Sequence, residues 1–193
     1  MLLLCGPKLG SRSDWWPKGD SILYTTPFAP GGIRVSDLGT DSISLVRVNG
    51  NQLIGLYPRW SPDGSRIAYS TEDKIVVAAI DESNFRTVAT APKGYIYEHP
   101  RWLKDGRILF NAYGGPALTM VVRDDGSGLA KWPVEVTGSD AISPDDQRIV
   151  VYGDDPSASG IRRIVLFVAD LFDPSPTKVH QLTFYTPPDS SKA

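Results

Sequence analysis

The sequence predicts an all-β protein assembled from repeated units of short strands. Three observations predict this fold class: a motif of tryptophan followed by a tight turn recurs, an aspartate follows each copy, and the apolar runs are too short for helices. The chain has 193 residues, and its 18 Gly and 16 Pro are spread along it, as expected for many tight turns. This length is sufficient for one domain with an extensive core.

The recurring motif is clearest at residues 58–70, which read PRWSPDGSRIAYS. Other copies begin at Trp15 (WWPKGDSILYT), Trp102 (WLKDGRILF) and Ile142 (ISPDDQRIVVY), so the starting points 15, 60, 102 and 142 are 45, 42 and 40 residues apart. A near-constant period in this range indicates a repeat architecture. The residues that define the motif are therefore interpreted as structural: Trp15, Trp60, Trp102, Pro62, Asp63 and Gly64.

A second sequence feature, an aspartate after each motif copy, supports the same repeat period. Each motif is followed by an apolar run that ends in an aspartate: Asp37, Asp81, Asp124 and Asp170. These aspartates follow the four starting points by 22, 21, 22 and 28 residues. The longest interval contains DDPSASGIRR, which we interpret as an insertion in a loop.

Each repeat contains apolar runs of a length typical of strands, bounded by hairpin-turn sequences such as PDG, KDG, DDGSG and DESN. Four strands in about 40 residues predict an antiparallel β-propeller blade. Pro and Gly preset the backbone of the tight turn, and the tryptophan is expected to pack between neighbouring blades.

The repeats divide the chain into predicted segments. An N-terminal strand or trimmed leader at 1–10 precedes four blades, and a polar tail at 186–193 follows them; the blades cover about 11–50, 51–92, 93–136 and 137–185. Four blades either close into a ring or form an arc of a larger propeller. An arc would leave edges open for association with another chain or for oligomer formation.

The stretch RWSPDGSRIAYS is very similar to the repeat of TolB-like propellers, a WD40-like family with the consensus W-S-P-D-G-x-x-I-A-F-x-S. The resemblance covers about residues 11 to 185, and it implies a propeller, usually of six blades where this chain shows four. It also implies a periplasmic or secreted protein, and a peripheral subunit of a bacterial envelope complex. The same repeat occurs in the non-catalytic propellers of prolyl-oligopeptidase-like enzymes. Because the repeat is structural, it implies no chemistry of its own.

The composition argues against nucleic-acid binding, a membrane helix, a signal peptide and an internal disulfide. The formal net charge of −2 provides no basic field for nucleic acid. No apolar run approaches the roughly 18 residues of a membrane helix, and MLLLCG at the start lacks the basic and extended apolar regions of a signal peptide. Cys5 is the one cysteine, so an internal disulfide is excluded.

No pattern of catalytic residues is present, so we expect a protein that is not an enzyme and has no cofactor. The chain lacks G-x-S-x-G, a Walker loop and G-x-G-x-x-G after a strand, and His99 and His180 are its two histidines. Asp124, Asp154 and Asp155 lie on predicted loops and are weak candidates for binding Ca²⁺. Asp-Gly sequences are also typical of hairpin turns, and we favour that interpretation.

Aromatic residues near predicted loops and strand ends are the best candidates for a binding surface. For each of them ordinary packing is the competing interpretation: Tyr95, Tyr97, His99, Tyr113 and Trp132. The resulting hypothesis is a non-enzymatic propeller scaffold that binds a protein or peptide partner. Two alternatives stay open: the non-catalytic propeller part of a prolyl-oligopeptidase-like hydrolase, and a propeller that binds a carbohydrate or another small ligand.

Overall fold

Every regular element in the described part of the chain is a β-strand, which confirms the all-β fold class. The computed structural model describes residues 13–26, 32–116, 118–132, 141–154, 164–173 and 179–182. No helix in these ranges is long and apolar enough to cross a membrane. Three sequence-based expectations lie outside the described residues: the leader at 1–10, the tail at 186–193 and Asp155. A fourth, the loop insertion at 154–163, lies outside them except for Asp154.

The strands form four sheets of four strands each and one small hairpin. Sheet 1 contains β1 (Ser13–Trp15), β2 (Ser21–Thr26), β3 (Gly32–Asp37) and β4 (Ser42–Leu45). The hairpin contains β5 (Arg47–Val48) and β6 (Asn51–Gln52). Sheet 2 contains β7 (Leu56–Trp60), β8 (Arg66–Ser70), β9 (Lys74–Ala79) and β10 (Phe85–Thr90).

Sheets 3 and 4 follow the same plan. Sheet 3 contains β11 (Ile96–Trp102), β12 (Arg107–Tyr113), β13 (Leu118–Arg123) and β14 (Ala130–Lys131). Sheet 4 contains β15 (Ala141–Ile142), β16 (Arg148–Asp154), β17 (Ile164–Asp170) and β18 (Val179–Gln181). In every sheet the strands pair antiparallel in sequence order, which is the arrangement of a propeller blade.

The chain divides into two compact units, Met1–Trp132 and Pro133–Ala193. The first unit contains sheets 1, 2 and 3, and the second contains sheet 4. The four-stranded antiparallel blades predicted from the repeat are therefore present in both units.

The turn between β7 and β8 explains the composition of the motif. The Gly64 amide donates to the Ser61 carbonyl at 2.8 Å, and Gly64 has a φ of +73°, which glycine adopts without strain. The Asp63 carboxylate accepts hydrogen bonds from the Ser61 hydroxyl at 2.5 Å and from the Ser65 amide and hydroxyl at 3.1 and 2.7 Å. These bonds, with that of Ser61 foremost, lower the pKa of Asp63 from 3.8 to about 2.

Sheet 4 repeats this turn with a different residue at the glycine position. The Asp145 carboxylate accepts from the Ser143 hydroxyl at 2.5 Å and from the Gln147 amide at 3.1 Å. Asp146 replaces the glycine and has a φ of +58°. Aspartate tolerates this backbone region better than most residues, so the turn survives the replacement.

The first residue of each motif copy occupies the equivalent position in the strand pairing of its sheet. Each starting residue pairs with an isoleucine in the second strand: Trp15 with Ile22, Trp60 with Ile67, Trp102 with Ile108, and Ile142 with Ile149. The period in the sequence therefore reflects equivalent places in successive sheets.

Sheets 1 and 2 stack face to face. Leu23 and Ile33 of sheet 1 form one buried cluster with Trp60, Ile67 and Tyr69 of sheet 2. A second cluster joins the other face of sheet 2 to sheet 3, and it includes Ala68, Ile75, Val77, Ile108 and Phe110. Successive residues of β8 enter different clusters because side chains alternate along a strand.

Trp15 differs from the packing role that the motif predicts, because it is 59% exposed where Trp60 is 7% exposed. The other two motif tryptophans pack toward the preceding sheet. Trp60 lies in the cluster with sheet 1, and the Trp102 indole N–H donates to the Arg59 carbonyl of sheet 2 at 3.2 Å. Trp15 belongs to sheet 1, and within the first compact unit no described sheet precedes it.

Candidate functional site

The first strands of sheets 2 and 3 share an irregularity. Strands β7 and β11 both shift register just before a Pro-Arg-Trp sequence. At these shifts Tyr57 and His99 have φ values of +54° and +55°. For a residue other than glycine this conformation costs about 1–2 kcal/mol. Backbone strain of this kind is concentrated at functional sites.

The two strained residues face each other. The rings of Tyr57 and His99 lie with centroids 3.8 Å apart and planes inclined by 32°. His99 Nε2 is 3.9 Å from Glu98 Oε2, a distance at which a protonated imidazole attracts the carboxylate. The matched bulges therefore place an aromatic pair and a carboxylate where β7 and β11 meet.

A recess of about 700 Å³ opens at the residues that precede this aromatic pair. Leu56 and Glu98 form one part of its wall, and Ile54, Glu72 and Ile96 form others. The remaining lining comes from Gly55, from Thr71 and from the adjoining ends of β2, β3 and β8. All three sheets of the first compact unit thus contribute to the recess.

The recess has an apolar wall that is open to solvent. Ile54 is 72% exposed and Ile96 is 43% exposed, while Leu56, at the start of β7, is half-buried. Large apolar side chains exposed together in a concave surface indicate a binding site.

The charged side chains in the described lining of the recess are all acidic. Glu72 and Glu98 contribute carboxylates, and no Lys or Arg occurs among the described residues that line it. Opposite charges attract more strongly beside a low-dielectric apolar wall than in open water. The described lining of the recess therefore combines an apolar wall with two carboxylates.

Gly55 gives the recess its shape. A Cβ at this position would lie 2.3 Å from Cδ2 of Tyr69 and 2.7 Å from the Ser70 carbonyl oxygen. Both distances are shorter than real contacts allow, so only glycine lets the chain pass this close to β8. The space beside Ile54 and Leu56 depends on that close approach.

Two of the aromatic residues singled out from the sequence are buried. Tyr97 packs on Phe110 with ring centroids 4.7 Å apart, and burial raises its pKa. Trp132 is also buried, and the Arg107 guanidinium lies 5.1 Å from its ring centroid. The structure therefore places both side chains in packing positions.

The other candidates lie nearer the surface. Tyr95 lies against Gly114 and Gly115, and the Tyr113 hydroxyl accepts a hydrogen bond from the Asn111 side chain at 2.9 Å. Tyr113 pairs with Ile96 in the ladder between β11 and β12, so it neighbours the recess. His99 is the one of the five that forms the aromatic pair.

Sequence reasoning missed Tyr57 of the aromatic pair. It also missed the main lining residues of the recess: Ile54, Ile96, Glu72 and Glu98. One signal for the aromatic pair was present, because Tyr-Pro-Arg-Trp and His-Pro-Arg-Trp precede the turn in the second and third repeats. An aromatic residue at one position in two adjacent repeats predicts that the two rings lie close together.

The weak Ca²⁺ candidates are placed as follows. The Asp124 carboxylate forms an ion pair with Arg66, and the neighbouring Asp125 carboxylate accepts the Ser127 amide at 2.8 Å. Asp154 is the last residue of β16. Within the described ranges no group of three or more His, Cys, Asp or Glu side chains is arranged to hold a metal ion.

Several solved structures resemble this chain at low sequence identity. An oligogalacturonate lyase from Vibrio parahaemolyticus has a TM-score of 0.61 and 14% identity over 88% of this chain and 52% of that chain. The β-propeller domain of the trilobed protease from Pyrococcus furiosus has a TM-score of 0.54 and 14% identity over 91% and 57%. A chain of the mitotic checkpoint complex has a TM-score of 0.57 and 12% identity over 86% and 48%. No family model and no curated protein matches the sequence.

These similarities show that the chain has a β-propeller fold built from four-stranded antiparallel blades. The fold occurs both in enzymes such as the lyase and in proteins of other kinds, so it assigns no activity. This chain spans about half the length of the lyase structures that it matches. Membership of the TolB-like family stays a prediction.

Proposed function

We propose that this protein is a non-enzymatic propeller scaffold that binds a peptide segment of a partner protein in the recess. The bound segment combines an apolar side chain with a positive charge from Lys, Arg or a free N-terminus. The observation that carries the proposal is an exposed apolar wall beside two carboxylates, at the junction of three sheets.

The apolar wall supports the first half of this specificity. Ile54 and Ile96 keep large fractions of their side chains in water, and burial is worth roughly 25 cal/mol for each Å² of apolar surface. A recess of about 700 Å³ is within the size range of ligand sites in proteins. One or two apolar side chains of a peptide fit a space of this size.

The carboxylates support the second part of the proposed specificity, which is the preference for a positive charge. Glu72 and Glu98 place two carboxylates on the wall, and these carboxylates attract an approaching cation. Such attraction increases the rate of association and weakens as salt is added.

The aromatic pair favours a peptide over a carbohydrate. Sugar binding commonly uses an aromatic face that is open to the ligand, but here Tyr57 and His99 cover each other at 3.8 Å. The exposed part of the recess is aliphatic and acidic instead.

Selection from a random peptide library tests the proposal. The wild-type protein is the target, and the Ile54→Ser/Ile96→Ser variant, which removes the apolar wall without changing the charge, removes peptides that bind elsewhere. We expect the enriched peptides to contain an apolar residue next to Lys, Arg or the N-terminus. A selected peptide measured by fluorescence anisotropy should bind this variant at least about tenfold more weakly.

Charge-neutral variants separate the two contributions. Glu72→Gln/Glu98→Gln should weaken binding and remove most of its salt dependence, whereas Glu82→Gln, on the turn after β9, should leave both unchanged. Equal binding to the wild type and to the Ile54→Ser/Ile96→Ser variant, or no enrichment at all, would contradict the proposal. Export and association with an envelope complex stay predictions from the family resemblance, and fractionation of the native cell tests them.

A further inference from the structure

His99 places a titratable ring next to one of the two carboxylates of the recess. His99 Nε2 is 3.9 Å from Glu98 Oε2, and the two side chains are 24% and 25% exposed. Glu98 lines the recess. Partial burial strengthens the interaction between charges at such a distance. A change in the charge of His99 therefore acts on a carboxylate that a bound cation would contact.

The register shift of β11 and the aromatic pair hold the imidazole in this position. His99 has a φ of +55°, a backbone region that histidine adopts more often than most residues. The Tyr57 ring lies on the imidazole with centroids 3.8 Å apart, which restricts rotation of the His99 side chain. Both constraints keep Nε2 beside the Glu98 carboxylate.

The strands packed against β11 are β7, β8, β9 and β12. Their charged side chains contact other groups: Arg59 the Ser13 carbonyl, Arg66 the Asp124 carboxylate, Lys74 the Asp73 carboxylate, and Arg107 the Asp105 carboxylate. On β11 itself, Arg101 lies beyond the register shift, opposite Leu109. The tyrosines of these five strands carry no charge near neutral pH: Tyr57, Tyr69, Tyr97 and Tyr113. Among the described side chains, Glu98 carries the carboxylate within ion-pair range of the imidazole, and Glu72 shares the recess with it.

We propose that protonation of His99 neutralises the Glu98 carboxylate, so that the recess holds a cationic peptide more weakly at about pH 6 than at about pH 8. This inference rests on the proposed function, because it concerns the regulation of the same recess. A histidine ordinarily changes its charge between these pH values, whereas carboxylates ordinarily stay ionised throughout. The imidazolium thus offsets one of the two negative charges that Glu72 and Glu98 give the recess.

The expected effect on binding is moderate, because the recess contains a second carboxylate. A cation bound beside Glu98 lies several ångströms from the imidazolium, and repulsion at that separation near a protein surface reduces the affinity by about threefold to tenfold. Coupling between two ligands is reciprocal, and the proton is one of them. A bound cationic peptide should therefore lower the pH at which His99 is half-titrated by about 0.5–1.

Fluorescence anisotropy at a series of pH values tests this inference. The probe is an N-acetylated peptide from the library selection that contains one Lys or Arg and no His, so that its own charge is constant. The wild type should bind this peptide about threefold to tenfold more weakly at the lower pH. His99→Asn, which tolerates the positive φ, and His99→Phe, which keeps a ring on Tyr57, should each bind it equally at both pH values. Glu82→Gln, on the turn after β9, should keep the pH dependence of the wild type.

Nuclear magnetic resonance of the His99 imidazole needs no peptide, so it separates failure of this inference from failure of the proposed function. Glu98→Gln should lower the pH at which the imidazole is half-titrated, because it removes a negative charge beside the imidazolium, and Glu82→Gln should leave this pH unchanged. If no peptide is selected but Glu98→Gln produces this shift, the proposed function fails and the coupling between His99 and Glu98 stands. Three results would each overturn the inference: no shift with Glu98→Gln, equal affinity of the wild type at both pH values, or His99 variants that retain the pH dependence.

Discussion

Trp15 and Trp60 occupy the same place in neighbouring sheets, yet one is in water and the other is in the core. Both begin the motif, both pair with an isoleucine, and both precede the same kind of turn. Trp60 is buried because sheet 1 lies against its face, and Trp15 has no such neighbour among the described sheets of its unit. The motif thus encodes a strand and a turn, while burial depends on what lies against the sheet.

The largest expected effect comes from replacing the two tryptophans in turn. Trp60→Ala removes a large side chain from the core and should lower the free energy of unfolding by about 3–5 kcal/mol. Trp15→Ala should lower it by less than about 1 kcal/mol at concentrations where the chain is monomeric, because the side chain is exposed. Urea denaturation measures both values. Equal losses would show that the face of sheet 1 is covered within the monomer.

The glycines of two turns provide the next comparison. Gly106 has a φ of +83° with nothing near its Cβ position, so Gly106→Ala should cost about 1–2 kcal/mol of backbone strain. Gly64 has a φ of +73°, and a Cβ there would lie 2.3 Å from Nε1 of Trp16. Gly64→Ala should therefore cost about 1 kcal/mol more, because it also disturbs the indole hydrogen bond to the Gly64 carbonyl. Urea denaturation measures both losses of unfolding free energy. A larger loss for Gly106→Ala than for Gly64→Ala would refute the contact between this turn and sheet 1.

The smallest expected effects concern pH. The pKa of Asp63 is lowered from 3.8 to about 2, so its contribution to stability is present above pH 3.8 and is lost as the pH falls toward 2. Asp63→Asn should therefore flatten the decline of the melting temperature in acid. A variant that declines as steeply as the wild type would show that this turn contributes nothing to acid sensitivity.

Asp14 should behave in the opposite way. Burial raises its pKa, although the Trp60 amide donates to its carboxylate at 2.8 Å. The contribution of Asp14 is present below pH 3.8 and is lost as the pH rises through the raised pKa. Relative to the wild type, Asp14→Asn should gain stability as the pH rises. Thermal melts at a series of pH values measure this difference, and a constant difference would contradict it.

Local chemistry explains how much of the fold was predictable. The turn of Ser61, Asp63 and Gly64 is held by bonds within six residues, from Ser61 to Arg66, so its sequence is readable without knowledge of the rest of the chain. Repetition then revealed the blades, because each copy of the turn marks the same strand connection.

The recess was not predictable for the converse reason. Ile54 and Glu72 are far from Ile96 and Glu98 in sequence, and stacking of the sheets brings them together. Tyr97 and Trp132 looked equally suitable for binding, but their neighbours bury them. His99 was one of the binding candidates from the sequence, whereas its contact with Tyr57 follows from the bulges of β7 and β11 at the same position.

The most direct test of the account is to map a selected peptide on the protein by the amide chemical shifts of nuclear magnetic resonance. The account predicts that titration moves the amides around Ile54, Glu72 and Ile96, together with those of Tyr57 and His99, while amides at the turn of Asp63 stay unchanged. Shifts centred elsewhere, with the recess amides unmoved at saturating peptide, would contradict a binding function for the recess.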